Sequence, residues 1–365
     1  MLLINNDQVK ELLTPRMTRE ALRIAYDDLA MGDAVCRPRI DIRIPTQQTD
    51  HVYQWGSMEG GSVRGYFAIR MKSDVLVEQQ YNGVRTQEKF ARRPGLYCGF
   101  ILLTSIETAV PLAFINDGHL QHMRVAADSA IGTDIMARKD AATMGLLGSG
   151  EMARAHVEAL LEVRDIRRIK VYSPTPANRE RFAKEMRAKF GIDIVVCSEP
   201  HEVYAGADLL AACTDSVTPV IRGEWLEPGM HVISIGGRPD VVADAKFDAV
   251  LRLGVSPSPV GRPDLGTKDE YLGYVAQPGH PLWSEVKGGK PARTAGSRKA
   301  EVLYADVRAG RATGRSNKDQ ITYSERGNIQ GAQFYAVAGA VYEAALKSGK
   351  GREIPTEWFL QDTRD

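Results

Sequence analysis

The stretch Ala142-Thr143-Met144-Gly145-Leu146-Leu147-Gly148-Ser149-Gly150-Glu151-Met152-Ala153-Arg154-Ala155-His156 decides the fold. Its first half is an apolar run of strand length, its second half has helical periodicity, and the two meet at a G-x-G-x-x-A turn. Gly148 permits the tight turn, Gly150 lets a pyrophosphate approach bare backbone, and Ala153 keeps the helix near the sheet. The helix starting at Glu151 and Met152 turns free N–H groups toward the anion, with Ser149 between the glycines. Two glycines at such a corner also occur for backbone reasons alone. The strand before, the helix after and a second strand on cue favour dinucleotide binding.

Toward the C-terminus the alternation continues. Strands are expected at 143–147, 168–172, 193–197, 208–213, 230–235 and 249–254, with helices at 151–163, 177–190 and 199–205. This βαβ order predicts an α/β fold with a Rossmann-type, doubly wound parallel sheet. The second strand ends at Tyr172-Ser173-Pro174-Thr175, followed by Asn178 and Arg179, with no acid between Lys170 and Arg179. An acid there would bind the ribose hydroxyls of NAD, whereas hydroxyls and an arginine suit a 2′-phosphate, so the reading favours NADP with NAD as the alternative. Arg179 as a solvated first-turn residue is the plainer account. Thr214, Ser216 and Gly236 end later strands at the carboxyl edge, either lining the nicotinamide side or simply closing turns. Residues 254–296, rich in Gly and Pro, read as a long loop or lid.

Toward the N-terminus, residues 14–31 have helical spacing, and 35–116 carry five strand-like runs of a mostly antiparallel sheet. In one run Phe67, Ile69 and Met71 alternate with Ala68, Arg70 and Lys72, which predicts the apolar set facing inward and Arg70 with Lys72 on the opposite face. Helix formers in 125–138 place a domain boundary after Arg124. The apolar stretch 332–346 reads as a buried helix returning to the first domain.

Lys and Arg number 47 against 46 Asp and Glu, a net charge of +1, so no overall field draws a nucleic-acid backbone or an anionic membrane. With 43% hydrophobic and 25% charged residues, the chain is that of a folded globular protein. Cys36, Cys98, Cys197 and Cys213 form no CxxC pair, giving neither a disulfide framework nor a zinc site. No run approaches the roughly 18 apolar residues of a membrane span or a secretory core, and the expectation is a soluble cytoplasmic protein. No metal is expected, since His119 and His122 lack a third ligand at recognisable spacing. G-x-S-x-G, H-E-x-x-H and P-loop motifs are absent, which removes the corresponding hydrolase, zinc protease and triphosphatase readings.

The notable feature of the first domain is cationic: Arg37, Arg39 and Arg43 on one run, Arg70 and Lys72 on another, and Arg124 after Asp117-Gly-His-Leu-Gln-His-Met. Converging guanidinium groups would grip the carboxylate of an amino or keto acid. Taken singly, a sheet arginine facing water is the plainer reading.

The segment DGHLQHMRVAADSAIGTDIMARKDAATMGLLGSGEMARAH, with VYSPTPANRERFA and AGADLLAACTDSVTPVIRGEWLEPGMHVISIGGRPD after it, resembles the ornithine cyclodeaminase and mu-crystallin family from about Val35 onward. The resemblance implies a homodimer formed through the N-terminal sheets and an active site between two domains. It divides the chain into a substrate-binding and dimerisation domain of α+β type (1–124 with 325–365) and an NAD(P)-binding domain (125–324). It also implies that Arg124 binds the substrate carboxylate, that an earlier family arginine falls near Arg39 with Arg43 a competitor, and that a family strand lysine aligns with Arg70. Lys72, on the same face, would then take over that lysine's place. Cyclodeaminases carry an aspartate just beyond the HVISIGG glycines, where this chain has Gly237 and Arg238, with Asp240 the nearest acid.

These readings favour an NAD(P)H-dependent reductase of a small 2-imino or 2-oxo acid, an imine reductase or amino-acid dehydrogenase. Arg124 with Arg39 and Arg70 would hold the carboxylate, and Lys72 would supply the proton or keep the imine nitrogen protonated. Two alternatives stand beside it: an ammonia lyase of the ornithine cyclodeaminase type with catalytic NAD, and a protein that binds NADPH without turnover.

Overall fold

The computed structural model describes residues 1–81, 84–283 and 300–362. Two sheets organise them. The second is wholly parallel and eight-stranded, in the order Asp193–Val196, Arg168–Tyr172, Thr143–Leu147, Leu209–Ala212, His231–Ser234, Thr322–Glu325, Ala249–Arg252, Glu301–Leu303. Strands Leu209–Ala212, His231–Ser234 and Ala249–Arg252 are buried at every position, as strands covered on both faces must be. The order of strands along the chain reverses between Thr143–Leu147 and Leu209–Ala212, and that switch point opens the crevice in which such sheets bind ligands. Helices Glu151–Leu161 and Pro176–Phe190 cover one side.

Two expectations change here. The helix expected at 199–205 is a single 3-10 turn, Pro200–Val203, and the short polar run Thr322–Glu325, not read as a strand, inserts into the middle of the sheet.

The first sheet has ten strands and is mostly antiparallel, with the long pair Val52–Ser62 and Tyr66–Tyr81 at its centre. Helices Pro15–Met31 and Gln330–Ser348 pack on its inner face. Gly60 and Gly331 let the second of these helices touch the sheet, since a Cβ on either would overlap the other's backbone neighbourhood. The alternation reading is reversed. Ala68 and Arg70 are buried on the inner face, while Phe67, Ile69 and Met71 lie half-buried on the outer one. The charged residues face inward because the inner face carries a polar cleft.

Segment 254–296 is not one long loop among the residues described. Tyr271–Val275 is a strand that pairs in parallel with Arg39–Pro45 at the edge of the first sheet, although residues 284–296 lie outside the described set. The helix expected from residue 125 begins at Gly118, so Arg124 sits within it. This helix, Gly118–Met136, leaves the first sheet and runs along the second. Arg164 donates to the carbonyls of Thr133 and Ala137 at its end, each at 2.9 Å.

Candidate active site

At the turn after Thr143–Leu147, Gly148 has φ +113°, and a Cβ there would overlap the Cys213 carbonyl of the adjacent strand end. Its glycine is demanded by backbone packing. Gly150 differs: a Cβ built on it meets nothing within 4 Å, and it caps helix Glu151–Leu161 without any side-chain cap bond. The first N–H groups of that helix therefore open onto a cradle with no partner among the described residues, the arrangement a pyrophosphate fits. Ala153 is fully buried against the sheet. The Met152 carbonyl accepts from His156 Nδ1 at 2.7 Å. The Glu151 side chain points elsewhere, into a groove with Lys10, His119 and His122, so only its backbone N–H faces the cradle.

Beside the cradle, Ser149 Oγ donates to Ser173 Oγ at 2.9 Å. Arg179 donates to the Ser173 carbonyl at 2.9 Å and lies over the Tyr172 ring, while its Nε is buried without a partner among the described residues. That orphaned donor beside two hydroxyls suits an anionic ribose substituent. Thr175 precedes the helix that carries Asn178, whose side-chain oxygen accepts from Arg181 at 3.0 Å. Gly236 lies so close to the Thr214 carbonyl that a Cβ would not fit, and the Ser216 hydroxyl is taken by Thr218. Gly236 and Ser216 thus have structural reasons of their own. Asp240 caps helix Val241–Lys246, accepting from Ala243 N at 2.8 Å and Gly223 N at 3.1 Å, so its carboxylate is occupied.

The cationic wall is built by strand register. Asp41, Gly56, Lys72 and Gly99 stand opposite one another across four strands, and Met58 with Arg70 forms the next inner-face row. The missing side chains make the room. Arg39 and Asp41 lie over Gly56, 3.1–3.6 Å from where a Cβ would be, and the Asp117 carboxylate occupies the space above Gly99. Arg70 Nε donates to Asp117 at 2.6 Å, Arg39 Nε to Asp41 at 2.6 Å, and Lys72 pairs with Asp74. Burial lowers the Arg70 and Lys72 pKa values, and the neighbouring carboxylates oppose this.

Arg124 reaches the same cleft from its helix. It stacks over Phe334 at 4.7 Å, as Arg70 does at 5.3 Å, and it bonds Gln121 and Gln333. Behind it Gln333 donates to Tyr26 at 2.7 Å and to Asp128 at 2.8 Å, and Tyr26 also donates to Asp128. Burial, then Arg326, pulls Arg124 down to about 9, while burial raises Asp128 to about 6.

Arg326, which the sequence reading passed over, links the two halves. It follows the last residue of the buried strand Thr322–Glu325, at the carboxyl edge, and its charge acts on Arg124, Asp128 and Cys213 together. Two further contacts cross between the sheets: Ser129 bonds His156 of helix Glu151–Leu161 at 3.0 Å, and Thr86 of the first sheet bridges to Ser216. Arg39, Arg70, Lys72 and Arg124 are therefore brought together, with Arg43 beside them bonded to Gln54 at 3.0 Å. Asp41, Asp74, Lys89 and Arg326 are additions. Among the described residues no three potential metal ligands cluster, and no helix is long and apolar enough to cross a membrane.

A family model described as the ornithine cyclodeaminase/mu-crystallin family matches residues 96–349. A Delta(1)-pyrroline-2-carboxylate reductase of Bacillus cereus is 27% identical over 259 residues, 70% of this chain and 74% of that protein. An alanine dehydrogenase of Archaeoglobus fulgidus is 25% identical over 97% of this chain and 98% of its own length. Among solved structures, the Thermococcus litoralis Delta(1)-pyrroline-2-carboxylate reductase in complex with NADH and L-proline superposes with a TM-score of 0.71 at 24% identity, covering 97% of this chain and all of that one.

Proposed function

Because the chain belongs to the ornithine cyclodeaminase/mu-crystallin family, we propose that it is an NAD(P)H-dependent reductase of a small 2-imino or 2-oxo acid. The observation that carries this reading is the meeting of Arg124, Arg70 and Arg326 at the carboxyl edge of the parallel sheet, beside the open cradle at Gly150. The cradle at 148–153 fits a dinucleotide, with Ser173, Thr175 and Arg179 at its far end favouring NADPH, and the bound nicotinamide supplies the hydride.

Arg124 holds the substrate carboxylate with two parallel bonds, its plane set by Phe334 and by the Gln121 and Gln333 oxygens. Arg70, locked to Asp117, and Arg39, locked to Asp41, add positive potential and exclude alternative poses. As the substrate carbon gains hydride, its nitrogen takes a proton; Lys72, buried beside Asp74 with its pKa pulled down, is placed as the donor. Cyclodeamination needs a free acid past the HVISIGG strand, and Asp240 is spent as a helix cap. The half-buried apolar outer face of the first sheet, Phe67, Ile69, Met71 and the stacked Phe100 and Phe114, supports a homodimer joined through it.

Screening 2-oxo acids with ammonia or methylamine against NADPH and NADH tests the proposal. Stoichiometric loss of reduced cofactor is expected. Ammonia release with no net absorbance change would instead mark a cyclising lyase, and tight cofactor binding without oxidation would mark a carrier. Arg124→Ala should lower kcat/KM by roughly a hundredfold while cofactor affinity is retained.

A further inference from the structure

The reaction outlined above leaves one buried acid without a task. Asp128 is fully buried one turn beyond Arg124 on helix Gly118–Met136, a spacing at which an arginine and an aspartate ordinarily pair. Here Gln333 stands between them. Arg124 Nη1 donates to the Gln333 side-chain oxygen, and Gln333 Nε2 donates to Asp128 Oδ1 at 2.8 Å. A guanidinium only donates and an ionised carboxylate only accepts, so the amide can face one way alone, and the acid is linked to the anchor through a neutral group.

The carboxylate itself is incompletely satisfied. Its donors Gln333 and Tyr26 both reach Oδ1, while Oδ2 is buried with no partner among the described residues. Neither donor carries charge. An acid serving the fold alone would have both oxygens bonded. Charged and titratable groups face it from three elements: Arg124 on its own helix, Tyr26 on helix Pro15–Met31, and Arg326 after strand Thr322–Glu325. Burial, then Asp128, holds the Tyr26 hydroxyl well above its ordinary range, so it stays protonated. Against the two arginines and both hydrogen bonds, burial still raises Asp128 to about 6. A substrate carboxylate on Arg124 sets a second negative charge against the same guanidinium and pushes the acid higher.

We propose that Asp128 is a positioning residue that acts on Arg124 through Gln333 and takes up a proton from solvent as the substrate carboxylate docks. This rests on the reductase reading above only in taking Arg124 as the acid anchor. One proton enters with one anion and leaves with it, so the buried network carries the same charge empty and loaded. While Asp128 is ionised it competes for the charge of Arg124 and weakens acid binding; once protonated it no longer does. Acid affinity therefore rises as pH falls toward the range in which the empty site is itself protonated. Asparagine at 128 keeps an oxygen for both donors and removes the charge, so it should mimic the protonated state. A purely structural Asp128 predicts the opposite: its loss would loosen Arg124 and weaken binding at every pH.

Calorimetry tests this by titrating pyruvate into the protein saturated with NADP+, between about pH 8 and 5.5 and in buffers of different ionisation enthalpy. The unaltered protein should bind pyruvate about tenfold more tightly at the acid end and take up roughly half a proton per pyruvate near pH 6.5. Asp128→Asn should bind at pH 8 about as tightly as the unaltered protein does at pH 5.5, with a flat profile and without that uptake. The profile of the unaltered protein needs no variant to fold. An affinity that stays level or falls toward acid pH, or an Asp128→Asn protein that binds no more tightly at pH 8, overturns the proposal. Proton-linked pyruvate binding with no oxidation of NADPH in the presence of ammonia would keep this inference and sink the reductase; turnover with binding independent of Asp128 would do the reverse.

Discussion

The two sheets solve opposite problems. In the parallel sheet, strands such as Leu209–Ala212 bury apolar side chains on both faces. In the antiparallel sheet the buried face itself is ionic: Asp41, Arg70 and Asp74 are all 3% exposed or less. A buried pair gives little net stability against well-packed apolar side chains of the same volume, so an ionic interior is weak evidence for stability and points to binding. One sheet is built to hold shape, the other, in the function proposed above, to hold an anion.

The largest expected effect attacks the first role. Gly148→Val drives a side chain into the Cys213 carbonyl at a positive φ, and a loss of more than about 4 kcal/mol should leave little folded protein by circular dichroism. Next, Asp117→Leu strands the Arg70 charge and should cost about 3–5 kcal/mol, read by urea denaturation. Arg70→Met with Asp117→Leu should regain most of that stability but not activity. Recovery of activity in the double variant would erase the contrast between the sheets.

Acid titration separates them more finely. Burial holds His231, in the parallel sheet, down to about 3, so the unfolded state binds the extra proton between about pH 3 and 6.5 and stability rises with pH across that window. His156, at about 4, acts in the same direction. Asp128, raised to about 6 in the cleft, acts oppositely from about pH 4 to 6, where the folded state binds the extra proton. Melting curves should therefore show a shallower rise with pH in His231→Gln and a steeper one in Asp128→Asn. Smallest of all, Arg179→Ala should raise KM for NADPH roughly tenfold and leave NADH within about twofold.

The same contrast explains what could be read from the chain. Fully buried apolar strands and the Gly148 turn announce themselves locally, and the Rossmann half follows from them. The cleft depends on cross-strand neighbours. Nothing near Lys89 says that it lies opposite Leu76, and nothing in Thr322–Glu325 says that a short polar run enters the middle of a parallel sheet and delivers Arg326 to the crevice. The inverted alternation of Phe67 and Arg70 has the same origin: which face is inside depends on which helices cover it, and Gln330–Ser348 comes from the far end of the chain.

Helix Gly118–Met136 carries Arg124 in its first half and, little more than a turn on, leans on helix Glu151–Leu161 through Ser129 and His156. A continuous rod between these two points works as a gauge: in the proposed reductase, the span from acid anchor to cofactor is machined into the backbone instead of being reset at each turnover. Deleting one residue between 124 and 129 would swing the guanidinium by about 100° around the axis and shift it about 1.5 Å along it. Catalysis in such a device tolerates changes of side chain far better than a change of count.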